Sequence, residues 1–480
     1  QEVKVDVTKG ALTLKQTTGL TFSQGDGTTD TSMTFKGKVA DINAALEGLI
    51  YRGNQDFNGE DILTINTNDL ANKGEGGILA KQDTVKIKVK AVNDAPVNSV
   101  PKEQTVNEDE DLIFSGTKNN LISISDVDAN EGTGEVEVML AANKGVLTLK
   151  DTAGLTFAAN NTNGKAQMTF KGKVADINKA LDGLIYRGNK DYNGKDTLTI
   201  TTNDLGNTGS GVSEKVAKTV EITLTPVNDP PVNVDVPGAQ SVNEDTSLIF
   251  KAANQNAIKI SDVDVDGDQT KPIGDVQVTL AATKGKVTLA QTTGLTFVEG
   301  SSNGNATVKV TGSVENINKA IDGLTYLGNQ DFNGEDTLTI EINDKSNGGI
   351  GGDLYQKDTI KINVKPINDT PVNTVPSKQS VKEDTDLAFN AVNSNSLSIN
   401  DVDVNEGTGE AEVKLSVTKG MLTLKETTGL TFKEGNGIGN TAISFTGKLT
   451  DINKALGSLT YRGNANFHGQ DTLTITTNDK

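Results

Sequence analysis

The heptapeptide VNDPPVN at residues 227–233 decides the architecture of this chain, because it returns twice with small changes. It reads VNDAPVN at residues 92–98 and INDTPVN at residues 367–373. The copies stand about 135 to 140 residues apart, which is the size of a domain and far longer than one turn of a solenoid. We therefore expect a row of similar domains, each with its own core. The seams at these three heptapeptides are named the first, second and third joints in chain order.

The joints divide the 480 residues into four repeats. The predicted domain boundaries are residues 1–97, 98–232, 233–372 and 373–480. The two middle repeats contain every block of the pattern, whereas the first lacks its opening blocks and the fourth lacks its closing ones. We expect the chain to be a window from a longer polypeptide.

Hydrophobic periodicity predicts an all-β fold. In residues 197–201, which read TLTIT, apolar and polar side chains alternate as they do in a strand with one buried face. Residues 85–90, VKIKVK, alternate as cleanly. One block differs: in residues 176–181, DINKAL, the apolar positions are spaced for a short helix, and Asp176 could cap its start. The expected fold is a series of tandem antiparallel β-sandwiches of the immunoglobulin or cadherin type, each covered by one short helix.

Composition excludes several classes of function. The chain has 45 Lys and Arg against 64 Asp and Glu, a net charge of −19 that repels nucleic acid and anionic membranes. It has no Cys and no Trp, so neither a disulfide nor a thiolate metal site can stabilise it. No apolar run is long enough to cross a membrane. An acidic surface of this kind suits a protein that gathers cations.

Acidic residues that lie far apart in the sequence are expected to meet at each joint. In an up-and-down sandwich the strand before Asp126 and Asp128 returns to the joint at Asp94, and the strand before Asp204 ends there too. The loop at residues 56–61 of the preceding repeat faces the same seam from the other side. Crowded carboxylates repel one another unless a cation lies among them, and hard oxygen ligands in this number select Ca²⁺ over Mg²⁺ and softer metals.

Three sets of metal ligands follow from this placement. The set for the first joint is Asp56, Asp61, Asn93, Asp94, Glu108, Asp109, Asp126, Asp128 and Asp204. The set for the second joint is Asp191, Asp196, Asn228, Asp229, Glu244, Asp245, Asp262, Asp264, Asp266 and Asp344. The set for the third joint is Asp331, Asp336, Asn368, Asp369, Glu383, Asp384, Asp401, Asp403 and Asp479. Any one of these residues could simply form a turn. Because the same motifs recur together in repeat after repeat, we interpret the whole set as metal ligands.

The pattern of motifs resembles that of cadherins: Asn-Asp-x-Pro at the joints, Asp-x-Asp after an early strand and a late Asp in each repeat. The whole unit is similar to the cadherin-like repeats of giant bacterial adhesins, which are related to repeats of chondroitin sulfate proteoglycans. The blocks at residues 145–149, 154–157 and 176–181 carry that likeness. The resemblance implies that about three Ca²⁺ ions stiffen each joint. The Asp-Arg-Glu triplet of cadherins is absent, and the Asp-Phe-Asn-Gly loop stands in for it.

No set of residues predicts an enzyme. The single histidine, His468, takes the place of Asn58, Asn193 and Asn333 in the other repeats, so it is read as a turn residue. The recurrent tyrosines Tyr51, Tyr186, Tyr326 and Tyr461 are read as core or corner residues.

The predicted function is that of non-enzymatic extender repeats in a secreted or cell-surface adhesin, whose partners are neighbouring repeats of the same chain. A self-assembling filament, sheath or S-layer-like matrix protein is the alternative, and a glycan- or receptor-binding module is a weaker one.

Overall fold

A computed structural model of the chain describes residues 1–71, 75–206, 209–265, 274–404 and 407–479. Its contacts divide the chain into two compact units, residues 1–229 with 348–352, and residues 230–347 with 353–480. The predicted all-β class is confirmed, since each unit consists of mainly antiparallel sheets with few helices. No helix among the described residues has both the length and the apolar character needed to cross a bilayer.

The first unit contains the first two repeats. The elements of the first repeat are β1 (Glu2–Asp6), β2 (Gly10–Thr13), β3 (Thr21–Gln24), β4 (Ser32–Lys36), α1 (Val39–Leu46), β5 (Ile50–Gly53), β6 (Gly59–Asn68) and β7 (Ala80–Val89). Those of the second are β8 (Val97–Ser99), β9 (Gln104–Asn107), β10 (Asp111–Phe114), a 3-10 turn (Gly116–Lys118), β11 (Ser123–Ser125), β12 (Glu135–Ala141), β13 (Gly145–Thr148), β14 (Thr156–Phe157), β15 (Gln167–Lys173), α2 (Val174–Leu181), β16 (Leu184–Gly188), β17 (Gly194–Asn203) and β18 (Lys215–Thr225).

The second unit contains the other two repeats. The elements of the third repeat are β19 (Val232–Asp235), β20 (Gln240–Asn243), β21 (Leu248–Phe250), a 3-10 turn (Ala252–Asn254), β22 (Lys259–Ser261), β23 (Asp275–Ala282), β24 (Gly285–Thr288), β25 (Thr296–Phe297), β26 (Thr307–Ser313), α3 (Val314–Ile321), β27 (Leu324–Gly328), β28 (Gly334–Asn343) and β29 (Tyr355–Lys365). Those of the fourth are β30 (Val372–Thr374), β31 (Asp386–Ala388), β32 (Ser398–Asn400), β33 (Glu410–Ser416), β34 (Gly420–Leu424), β35 (Leu430–Glu434), β36 (Ala442–Lys448), α4 (Leu449–Leu456), β37 (Leu459–Gly463) and β38 (Thr474–Asp479).

The second repeat shows the sandwich in full. One sheet has six strands in the order β14-β15-β12-β17-β18-β9, and the other has three in the order β10-β16-β13. Inward side chains of the two sheets share one core, in which Leu140, Phe170 and Tyr186 are fully buried. The alternating burial of β17, with Leu198 and Ile200 inside, confirms the predicted period of two. The third repeat has the same order in β25-β26-β23-β28-β29-β20 and β21-β27-β24.

One strand in each complete repeat departs from the antiparallel expectation. β9 pairs in parallel with β18, and β20 pairs in parallel with β29. Both short strands therefore run in the direction of the last strand of their own repeat, towards the joint that follows it. This direction determines which joint the acidic residues after them can reach.

The predicted helix is present in every repeat, two residues longer at its start than the sequence pattern indicated. α2 begins at Val174, and Asp176 lies in its first turn without capping it. Asn178 on this helix accepts a hydrogen bond from the N–H of Ile124 and donates one to its carbonyl, both at 2.8 Å. The helix therefore satisfies the edge of the short strand β11 as well as covering the core.

Each of the four predicted segments holds one hydrophobic core. In the first repeat β2 and β5 form a two-stranded sheet, and the large side chains of Ile50 and Val85 are more than half exposed. The fourth repeat has four strands in its larger sheet, β35-β36-β33-β38, and three in the other, β31-β37-β34. The exact boundaries between repeats stay a prediction.

Candidate metal centre

The third joint brings together carboxylates from four separate parts of the second unit. Glu244 follows β20, Asp369 lies between β29 and β30, and Asp403 follows β32. Oxygens of these three side chains lie within 4.8 Å of one another. Asp369 also forms a second group at the same spacing with Asp245 and with Asp331, which lies in the turn before β28. The five residues form what is called here the third-joint cluster.

Backbone hydrogen bonds hold the carboxylates in place. The N–H of Ile367 donates to Oε1 of Glu244, and the N–H of Asp369 donates to Oδ2 of Asp403. Glu244 is only 4% exposed, and its second oxygen, Oε2, is buried without any hydrogen-bond partner. A buried, unpartnered carboxylate oxygen is costly, so its surroundings fit a bound cation.

Local backbone geometry positions the other group. Asp245 and Asp331 have φ of 54° and 55°, in the left-handed region that Asp tolerates better than most residues. The N–H of Asp331 donates to Oδ1 of Asp245 at 3.3 Å. These turns aim two carboxylates of the third repeat at the linker carboxylate of Asp369.

The electrostatics of the cluster are unfavourable without a counter-charge. The pKa of Asp369 is raised, first by loss of solvent and then by the negative charges of Asp403, Asp331, Asp245 and Glu244. A shift in this direction means that the folded protein resists having all of these groups charged at once. A divalent cation would remove the repulsion.

Further polar groups of the third set line a cavity of about 260 Å³ beside the linker. From that set the lining includes Asn368, Asp401, Asp403 and Asp479, and Glu410 and Thr408 add further polar groups. The amide of Asn368 donates to Asp479, and Asp401 accepts the N–H of Asp403 at 3.0 Å. The predicted convergence of Asp401, Asp403, Asp479 and the linker is therefore what the structure contains.

The first joint repeats this arrangement within the first unit. The N–H of Asp94 donates to Asp128 at 2.5 Å, and the amide of Asn93 donates to Asp204 at 2.7 Å. Oδ1 of Asn93 and Oδ2 of Asp126 are buried without partners. The pKa of Asp126 is raised, chiefly by burial and further by the charges of Asp128 and Asp204. Each of these two oxygens is thus buried without a protein donor.

Near the second joint, each unit contains its own hydrogen bonds. In the first unit, Glu108 accepts the N–H of Val227 at 2.8 Å, and Asp109 accepts that of Asp191 at 3.3 Å. In the second unit, Asp262, Asp264 and Asp344 are buried; the N–H of Asp264 donates to Asp262 at 3.0 Å, and Asp344 accepts two backbone N–H groups of its own loop. Asp266 lies outside the described residues. Asn228 and Asp229 lie in the linker of the first unit.

The Glu-Asp pairs belong to a different joint from the one predicted. Glu108 and Asp109 were expected at the first joint, yet Glu108 bonds to Val227 at the second. Glu244 and Asp245 were expected at the second joint, and the structure places them in the third-joint cluster. Glu383 and Asp384 were expected at the third joint; both are exposed, and Asp384 accepts the N–H of Asn466, in the turn before β38, at 3.1 Å. For the first two pairs the reason is the parallel pairing of β9 with β18 and of β20 with β29, which carries each pair to the following joint.

The Asp at the start of each long strand is also placed wrongly by the prediction. Asp196 accepts the N–H groups of Asn143, Lys144 and Thr197 and, at 2.8 Å, the hydroxyl of Tyr186. Asp61 and Asp336 make the same bonds with Tyr51 and Tyr326. These oxygens are already saturated inside one repeat, so we remove Asp61, Asp196 and Asp336 from the ligand set. The same bonds explain the recurrent tyrosines as core residues.

Hydrogen bonds to Asp61 lower its pKa to about 2, although burial opposes them. Asp56, the counterpart of Asp331, is exposed and has the same left-handed backbone. Its neighbour Asn58 donates at 2.5 Å to Glu131, which follows the Asp126–Asp128 turn. The predicted position of this loop, facing the first joint, is thus correct, although Asp56 itself joins no described group of three carboxylates.

A glycine-rich loop that was not among the predicted site residues also holds the linker. The N–H of Ser210 donates to the carbonyl of Ala91 at 3.1 Å, and Asn93 donates to the carbonyl of Val212 at 3.3 Å. A Cβ on Gly209 would lie 2.5 Å from the carbonyl oxygen of Ala91, which is closer than any real contact. The segment at residues 348–352 bonds to residues 226–228 in the same way. The recurring Gly-x-Gly was the signal available in the sequence.

A family model described as the Protein GAMETE EXPRESSED 2 domain matches residues 4–76, 110–211, 268–350 and 389–480. No curated protein matches the chain.

Solved structures similar to the chain include cadherin ectodomain repeats. Mouse Cadherin-23 EC22-24 is 15% identical, covers 76% of this chain and 86% of its own, and has a TM-score of 0.27. Protocadherin Gamma B2 extracellular cadherin domains 3-6 is 14% identical, covers 98% and 91%, and has a TM-score of 0.29. The ectodomain of human Desmocollin-1 is 10% identical, covers 98% and 71%, and has a TM-score of 0.26.

Proposed function

The chain belongs to the Protein GAMETE EXPRESSED 2 domain family, and we propose that its repeats are Ca²⁺-stiffened extender modules of a large secreted or cell-surface adhesin. In this role they project a distal binding region and carry out no catalysis. The partners of each module are its neighbours along the chain. The adhesin is of the giant, repeat-built kind that the sequence resembles.

One observation carries the proposal: the buried carboxylate of Glu244, with its unpartnered Oε2, within 4.8 Å of Asp369 and Asp403. The three residues come from the third repeat, the linker and the fourth repeat. An ion bound by all three would fix the linker against both repeats. Such an ion binds the joint when its residues are ordered and not when they are disordered. It therefore stabilises the ordered state by mass action.

The donor set favours Ca²⁺. Carboxylates dominate the cluster, with the side-chain oxygens of Asn368 and Asp479 beside it, and the chain has no Cys and one His. Ca²⁺ accepts six to eight oxygen ligands in a flexible geometry, whereas Mg²⁺ keeps several of its waters. When bound, the ion supplies positive charge and bridging bonds, and no reaction is required of it.

A metal count combined with scattering tests this function on the full chain. We expect bound Ca²⁺ by mass spectrometry, a higher melting temperature in Ca²⁺, and a smaller maximum dimension in chelator. Glu244→Gln should lower the Ca²⁺-dependent rise in melting temperature. Glu299→Gln removes the same charge from an exposed position of the third repeat and serves as the control. Unchanged melting temperature and dimensions in excess chelator would refute stiffening by metal.

The same samples distinguish the extender from the alternatives. An extender stays monomeric in Ca²⁺ at every concentration, whereas a filament or matrix protein polymerises as concentration rises. A glycan or receptor module would give a positive result in a glycan screen on the full chain, and a uniformly negative screen would remove that alternative.

A further inference from the structure

One turn differs in charge between repeats that are otherwise alike. The turn before the long strand reads NQDFNG at residues 54–59 and 329–334, but NKDYNG at residues 189–194. Lys190 thus stands where the other two have Gln55 and Gln330. The turn is the one that carries a carboxylate to the joint.

The backbone of the turn is the same in both complete repeats. Asp191 and Asp331 both have φ of 55°. The N–H of each donates at 3.3 Å to the first oxygen of the Asp after the short strand, Asp109 in one case and Asp245 in the other. The two turns differ in the side chains on either side of the Asp: Lys190 stands where Gln330 does, and Tyr192 where Phe332 does. The first of these differences is the one that changes the charge.

In the third repeat this turn supplies an open group of carboxylates. Asp331, Asp245 and the linker residue Asp369 have oxygens within 4.8 Å of one another. Their counterparts in the first unit are Asp191, Asp109 and Asp229, named here the second-joint cluster. Within the described parts of the chain, these three do not come together at that spacing.

An ammonium group pairs with one carboxylate of the second-joint cluster. Nζ of Lys190 lies 2.7 and 2.9 Å from the two oxygens of Asp191. Its pKa is raised by the hydrogen bond and charge of Asp191 and, beyond that, by the charges of Asp109 and Asp229. The ammonium of Lys190 thus contacts both oxygens of Asp191, while the side chain of Lys190 is 83% exposed.

We infer that Lys190 is a built-in counter-ion, which makes the second-joint cluster a weaker site for divalent cations than its counterpart at the third joint. The inference rests on the proposed Ca²⁺ function and adds the order in which the joints lose their ions. The lysine both contributes a repulsive positive charge and competes for Asp191. One exposed unit charge beside the cluster changes its affinity for a divalent cation by about three- to tenfold. Falling Ca²⁺ therefore empties this cluster first.

Hydrogen exchange on the full chain tests the inference, because one molecule reports on both joints. Protection from hydrogen exchange is measured as a function of the free Ca²⁺ concentration. Peptides covering residues 186–193 and 226–229 report on the second joint, and peptides covering residues 326–333 and 366–370 report on the third. Wild-type protein should show a midpoint about three- to tenfold higher in Ca²⁺ concentration for the first pair of peptides than for the second.

Reciprocal substitutions provide the decisive comparison. Lys190→Gln should lower the midpoint of the second-joint peptides alone, and Gln330→Lys should raise that of the third-joint peptides alone. Lys195→Gln, at an exposed lysine 3.6 Å from Glu221 in the same repeat, is the charge-matched control and should change neither. If both joints respond to Ca²⁺ but the two substitutions leave the midpoints unmoved, the role of Lys190 is overturned. If no peptide responds to Ca²⁺, the proposed function itself fails.

Discussion

The N–H of Ile367 donates to one oxygen of Glu244, while the other oxygen of that carboxylate is buried and has no partner. The linker is therefore fixed to the third repeat by one oxygen of a carboxylate that also lies within 4.8 Å of those of Asp369 and Asp403. Because one oxygen accepts a backbone hydrogen bond and the other has no protein partner, a substitution can separate the structural role of Glu244 from its role in ion binding.

Glu244→Gln should have opposite effects in chelator and in Ca²⁺. The amide keeps an oxygen for Ile367 and removes a negative charge from the cluster, so in chelator the melting temperature should stay the same or rise. In Ca²⁺ the variant should lose most of the stabilisation that this joint gains from the ion. Calorimetry in the two conditions measures both effects. A variant that is less stable in chelator than the wild type would show that the carboxylate is structural.

Mild acidification should stabilise the metal-free protein and destabilise the Ca²⁺-bound protein. Burial and neighbouring charges raise the pKa of Asp126 and of Asp369 above their usual value of 3.8. A raised carboxylate pKa favours the folded state when protonated, and this advantage is lost as pH rises through the folded pKa. In chelator, stability at the two joints should therefore increase on mild acidification, down to about pH 4.

In Ca²⁺ the same acidification should reduce stability, because protons compete with the ion for these oxygens. Asp126→Asn keeps the oxygen that accepts the N–H of Asp128 and should abolish the acid-induced gain at the first joint in chelator. Thermal melts at a series of pH values check this. An unchanged profile in that variant would contradict the assignment.

Periodicity and repetition were enough to predict the sandwich, the helix and the convergence of Asp401, Asp403 and Asp479 on the linker. The alternation of β17 and the spacing of α2 are local properties, and local patterns determine which face of an element is buried. Loops at the ends of long strands could be placed once strand direction was known. This part of the candidate site follows from sequence alone.

Two features could not be predicted because they depend on pairing between distant strands. Nothing in residues 240–243 indicates that β20 pairs in parallel with β29, and this pairing moves Glu244 to the following joint. Likewise, Asp196 resembles any other acidic turn residue until its contact with Tyr186, ten positions away, is seen. A short strand at a sheet edge carries too little pattern to reveal its partner.

Acid should destabilise the first repeat through Asp61. Hydrogen bonds from Thr8, Lys9 and Ile62 outweigh the effect of burial and hold its pKa at about 2, below the usual 3.8. A lowered carboxylate pKa contributes stability that is present above the unfolded value and is lost as pH falls through the folded one. We expect the loss between about pH 4 and pH 2. Asp61→Asn should remove this pH dependence, as followed by hydrogen exchange of residues 1–10; persistence of the transition would contradict the prediction.

The asparagine on the third helix should contribute to stability through both ends of its amide. Asn318 accepts the N–H of Ile260 and donates to its carbonyl, at 2.9 Å each. Asn318→Ala leaves both backbone groups unsatisfied and should cost about 2 kcal/mol of unfolding free energy in the third repeat. Urea denaturation followed by hydrogen exchange in β22 measures this. Asn43 holds the same position on the first helix but is exposed, so Asn43→Ala is the control and should change stability by less than about 0.5 kcal/mol.

The glycine loop at the first joint should order the linker whether or not an ion is bound. Gly209 has φ of 77° and lies against the carbonyl of Ala91, so Gly209→Ala introduces both backbone strain and a clash. The expected result is faster hydrogen exchange at residues 91–93 and 209–212 in Ca²⁺ and in chelator alike. Gly238→Ala, at an open position of the second unit, is the control. If Gly209→Ala weakens protection only in chelator, bound ions alone would suffice to order this linker, and the loop would have no independent role.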